Sequence, residues 1–189
     1  MELSINIVSI NYGCVAKSYY YFTDASNGNR IIKTTFISYG GGYRGFYHDS
    51  IDSRIIAAGC DTNSVDTLDL DLNFNSSVSF PGQCPHGVTV YNTKIYVAIY
   101  INNYNVAVIS NGIIENTHLT QCSSYLIRIS VDSFGYFALS CENGQAYLYD
   151  SNIQYTSKSI GIGVWVGTVN FDINKRLAVC GSKNVNIYN

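Results

Sequence analysis

At 189 residues the chain is long enough for one domain with a sizeable core, and 47% hydrophobic against 13% charged residues excludes a disordered polypeptide. A net charge of −2 with no basic run excludes a general nucleic-acid or anionic-membrane binder, which needs clustered Lys and Arg against phosphate. No window approaches the roughly 18 unbroken apolar residues of a membrane span. The opening Met1-Glu2-Leu3-Ser4 lacks the basic-then-apolar pattern of an export signal.

Residues 1–42 form the least regular unit. Residues 5–10 read as a strand, Asn11-Tyr12-Gly13 as its turn and residues 18–23 as a strongly aromatic strand. The loop Asp24-Ala25-Ser26-Asn27-Gly28-Asn29 returns the chain into a strand over 30–37, and Gly40-Gly41-Gly42 marks the passage to the next unit. Residues 43–83 carry a second strand at 54–58, a third at 67–71 and an outer strand at 76–80. Residues 84–122 repeat this at 95–100, 105–110 and 114–119. Residues 123–163 contain the clearest copy, at 136–140, 146–150 and 154–160, and residues 164–189 stop after strands at 176–180 and 185–188.

The copies keep a period near 40 residues: Asp132 is matched by Asp172 ahead, and by Asn92 and Asp52 behind. Turn chemistry punctuates each copy, as in Asp132-Ser133-Phe134-Gly135 and Glu142-Asn143-Gly144, where Asp and Asn bond their own backbone and Gly accepts positive φ. Several short strands in a unit of about 40 residues are the signature of propeller blades. The expected fold is an all-β propeller of about five blades within one domain, residues 1–189, with the last blade incomplete. Three closures are open: a strand at 5–10 lent to the last blade, a three-stranded last blade, or an arc completed by another chain or by sequence absent here.

Asp132-x-x-Gly135, an apolar strand, Glu142-Asn143-Gly144 and a strand closing on Tyr149-Asp150 together resemble a WD repeat, a family whose third strand ends in an aromatic-Asp pair. Residues 172–189 are similar and end Tyr188-Asn189. The chain departs from the family in having no Gly-His dipeptide at the start of a repeat, and in ending two repeats Asp69-Leu70-Asp71 and Val108-Ile109-Ser110. The resemblance implies a rigid platform for protein partners.

Cysteines recur at equivalent places, Cys141 with Cys180 and Cys84 with Cys122, and equivalent positions in different blades should not meet at disulfide distance. Buried free thiols in a reducing, cytoplasmic setting are therefore expected, with secretion as the alternative and one disulfide between inequivalent positions left open.

Candidate binding residues fall in two sets. Tyr43, Tyr125 and Trp165 stand just before first strands, where an aromatic rim could stack a sugar or anchor a partner's side chain. His48 and Ser50, Arg128 and Ser130, and Thr168 and Asn170 are read as sharing one strand parity, facing the axis as polar channel walls or as a site for a small polar ligand or anion. Asp69 and Asp71, near Asp61 and Asp66, lack the glycine-framed loop of a calcium site and read as a solvent-facing acidic strand. Cys84-Pro85-His86 lacks the second ligand pair of a structural zinc.

The three glutamates, Glu2, Glu115 and Glu142, fall at a terminus, an outer strand and a turn, not as the converging carboxylates a glycosidase needs. The chain is thus expected to be a non-catalytic platform without cofactor or metal, a protein–protein interaction scaffold or subunit of an assembly, with self-association through unpaired strand edges also expected. A carbohydrate-binding propeller using the aromatic rim is the alternative.

Overall fold

The computed structural model describes residues 3–4, 18–24, 30–37, 42–71, 73–100, 105–161, 166–171, 176–181 and 185–188. These residues form only strands and turns. The chain is an all-β propeller of WD-repeat-like architecture: each sheet is an antiparallel meander whose strands pair in chain order. Leu3–Ser4, Ser18–Asp24 and Arg30–Ile37 (β1–β3) make a three-stranded sheet. Four-stranded sheets follow, Tyr43–Asp49, Arg54–Gly59, Ser64–Asp69 and Phe74–Ser79 (β4–β7), then Pro85–Tyr91, Lys94–Ile99, Asn105–Ser110 and Ile113–Leu119 (β8–β11). The next is Leu126–Val131, Phe137–Cys141, Gln145–Tyr149 and Tyr155–Gly161 (β12–β15), and Val166–Phe171, Leu177–Gly181 and Val185–Tyr188 (β16–β18) form a three-stranded sheet. The predicted strand at 5–10 lies outside the described residues.

The last four sheets pack face to face in sequence, joined along their first strands: β4 on β8, β8 on β12, and β12 on β16. This explains the burial gradient. The second strands β5, β9 and β13 are covered on both faces and read as unbroken apolar runs, whereas the outer strands β7 and β11 are exposed almost throughout. The core lies between blades. Tyr96, Val106 and Val108 of one sheet meet Leu126, Phe137, Leu139 and Tyr149 of the next, and Ala138 and Ala146 meet Val169, Leu177 and Val179.

Each first strand carries a register shift at the same place, after its first residue: between Tyr43 and Gly45, Pro85 and Gly87, Leu126 and Arg128, and Val166 and Thr168. The shift leaves Arg44 and His86 as the extra residues of bulges in neighbouring blades, and a bulge re-aims the side chain it carries.

Three expectations are corrected. First, Cys60 is bonded to Cys84 and Cys122 to Cys141, so these are not free thiols; among the described residues Cys180 is free. Antiparallel pairing sets the start of a first strand beside the end of its second, as Leu126 beside Cys141, which brings Cys122 to Cys141, while the packing of β5 on β8 brings Cys60 to Cys84 across two blades. Second, the third strand of the 43–83 unit runs from Ser64 to Asp69, three residues earlier than predicted at its start, because Asp69 opens a turn by accepting from the backbone N–H of Asn73 at 2.8 Å. Third, the acidic residues do not share one solvated strand: Asp71 lies beyond its end, and Asp66 is buried on the other face from Asp69, with Ser77 Oγ donating to its Oδ1 at 2.6 Å and Tyr43 Oη donating to its Oδ2.

Candidate functional site

The first strands β4, β8, β12 and β16 enclose an axial groove of about 1020 Å³. At the end where these strands begin, five side chains gather from three blades. Tyr125, just before β12, lies 41% exposed and stacks on Tyr100, just after β9, with ring centroids 4.3 Å apart and planes 15° from parallel. Tyr100 stacks in turn on His86 at 5.0 Å. The Tyr100 backbone N–H donates to the Cys84 carbonyl at 2.9 Å, and the Glu142 N–H donates to that of Tyr125 at 2.9 Å, so both rings hang on fixed backbone. The two disulfides brace the same rim.

Beyond the stack lie two guanidinium groups. Arg128 Nη1 stands 2.6 Å from His86 Nδ1, 3.1 Å from the Ile127 carbonyl and 3.4 Å from the His86 carbonyl. His86 Nδ1 also lies 2.9 Å from the Ile127 carbonyl, so this one nitrogen faces a donor, Arg128, and an acceptor together. Burial, then Arg128, pushes the imidazole down to about 4, against the opposing bond to the Ile127 carbonyl and with Arg44 adding to the fall, so His86 is neutral at pH 7. Arg128 is itself less basic than an exposed arginine, chiefly through burial and then through Arg44, but stays charged. Arg44 is exposed on its bulge. Among the described residues lining the groove there is no carboxylate.

This arrangement can bind; the described residues do not compose a nucleophile with its base. The Cys84 sulfur is bonded to Cys60, which removes it as thiolate nucleophile or zinc ligand beside His86. No group of three His, Cys, Asp or Glu converges among the described residues.

The predicted site residues separate. Tyr125 and Arg128 come together in this cluster. Tyr43 is only 6% exposed and its hydroxyl is turned inward to Asp66, so its ring packs the blade rather than forming a rim. Trp165 and the Thr168 side chain lie outside the described residues. His48 does not share the parity of Arg128. The bulges align Gly45, Gly87, Arg128 and Thr168, while His48 pairs with Ile55 and stands level with Val90, Val131 and Phe171. Ser50 sits in the turn after β4. Ser130 Oγ donates to Asn170 Oδ1 at 3.0 Å, tying two blades together. Sequence reasoning missed Arg44, His86 as a cluster member, and Tyr100. The recurrence of Arg44-Gly45 and His86-Gly87 at matching places in two repeats was the available signal.

No family model matches the chain, and no curated protein matches it. Solved structures do. The chain is similar to the WD40 β-propeller domain of Doa1, with TM-score 0.70 and 13% identity over 90% of this chain and 58% of that one. It is also similar to a Bacteroides caccae protein of unknown function, with TM-score 0.69 and 10% identity over 99% and 71% of the two chains. The Neurospora crassa Pan2 WD40 domain superposes with TM-score 0.62 and 10% identity over 78% and 46%. The chain therefore spans well under two thirds of the Doa1 domain it matches, and at these identities the likeness is one of fold.

Proposed function

We propose that the chain is a non-catalytic binding platform for a protein partner, built as five blades of one ring, with its contact surface at the rim carrying Tyr100, Tyr125, His86, Arg44 and Arg128. One observation carries this reading: an exposed aromatic ring stacked on a second ring and backed by two arginines, all fixed on a disulfide-braced rim. Rigid aromatic and arginine anchors of this kind dominate protein interfaces. The WD40 fold supports it as an analogy of architecture.

The same proposal places the folded chain in an oxidising compartment. The cytoplasmic expectation rested on free thiols, and disulfides persist where thiols are not kept reduced.

Selection of a displayed random-peptide library on the immobilised chain tests the platform. Enriched peptides should lose affinity for Tyr125→Ala while the variant melts as the parent does. Peptides indifferent to the rim, or a glycan array that binds where no peptide does, would overturn it.

A further inference from the structure

We propose that Arg44 and Arg128 form a receptor for carboxylates at the mouth of the axial groove, and that its occupant is an acidic segment of a partner polypeptide. This deepens the platform reading and rests on it. Arg128 commits one nitrogen, Nη1, to the carbonyls of His86 and Ile127 and to the contact with His86 Nδ1, and among the described residues nothing accepts from Nε or Nη2. Arg44 has no acceptor among the described residues and sits where a bulge turns it out of the strand. Both arginines line the groove, where none of the described lining residues is a carboxylate, and an oxyanion there would meet two cations. Guanidinium forks match carboxylate geometry in pairs.

The surroundings select among anions. The groove is wide and open, larger than a free small anion fills, and the Tyr100–Tyr125 stack adjoins Arg128 through His86, which suits an extended segment with apolar contacts flanking its acids. A nucleic acid is a poor fit: the chain carries net charge −2 and no basic tract to follow a phosphate backbone. Neutral His86 serves as a positioning residue, its Nδ1 set between Arg128 Nη1 and the Ile127 carbonyl while its ring stacks on Tyr100.

The test is fluorescence anisotropy of the full chain with a fluorescein-labelled hexaglutamate peptide, against hexalysine, a single-stranded oligonucleotide and inorganic phosphate. Hexaglutamate should bind in a salt-sensitive manner, weaken about tenfold with Arg44→Ala and be lost with Arg44→Glu. Because Arg44 is exposed, both variants should melt as the parent does, which keeps the result free of folding defects. Equal binding by Arg44→Glu, no binding of hexaglutamate, tighter Arg44-dependent binding of the oligonucleotide, or stabilisation by phosphate alone each overturn the proposal. Library-selected peptides that need Tyr125 but ignore Arg44 would sink this inference and leave the platform standing.

Discussion

A Cβ on Gly87 would stand 2.8 Å from the Cα of Arg128 in the neighbouring blade. Gly45 approaches the next junction in the same way, its missing Cβ falling 3.0 Å from the Cα of Gly87. At this level the first strands touch backbone to backbone, and backbone cannot rotate aside. Gly45→Ala and Gly87→Ala should each destabilise the fold by about 3 kcal/mol, the upper end for overpacking. Urea unfolding checks this, and losses below about 0.5 kcal/mol would show that the blades separate without strain.

Local turn chemistry made the repeat legible. Asp132 accepts from the N–H groups of Phe134 and Tyr136 and Asp150 from those of Asn152 and Gln154, and Gly135 and Gly144 do adopt positive φ. Such features act over a few residues, so they appear in the sequence directly. The site is different in kind. The first strands begin at Tyr43, Pro85, Leu126 and Val166, offsets that depart from a uniform 40, so a step of 80 residues set His48 level with Arg128, and the extra residue in each strand hid Arg44 and His86 from the two-residue alternation. The disulfides join positions 24 and 19 residues apart, the first brought together by the packing of neighbouring blades and the second by strand pairing within one.

Tyr43 and Ser77 both donate to the buried Asp66 carboxylate. Tyr43→Phe removes one donor and keeps the ring's packing against Phe46, at a centroid distance of 5.7 Å. A buried acceptor left short costs about 1–3 kcal/mol. Thermal melts of Tyr43→Phe, Ser77→Ala and the double variant should show coupling between the two sites. Strict additivity would mean that Asp66 finds water when either donor goes.

Alkylation before and after reduction should show Cys60, Cys84, Cys122 and Cys141 protected until a reductant is added, while Cys180 does not depend on it for a partner. Removing the bridge between blades with Cys60→Ala and Cys84→Ala should cost about 3 kcal/mol, the size expected of a loop of this order. An unchanged denaturation midpoint would show that blade packing alone holds the rim.

His86 ties stability to pH. Its ring titrates at about 4 in the folded chain against 6.5 when exposed, so between these values the unfolded chain binds the extra proton. Stability therefore rises with pH through this window: it is fully present above about 6.5 and falls away as the pH drops towards 4, by at most roughly 3 kcal/mol. Acid unfolding has other contributors in this window, so the wild-type curve alone does not isolate the imidazole. His86→Phe does, because it keeps the stack on Tyr100 and removes the titrating group. The difference between the two curves should narrow as the pH falls from 6.5 to 4. Parallel curves would mean that the imidazole is solvated and that Arg128 is held by the backbone carbonyls alone.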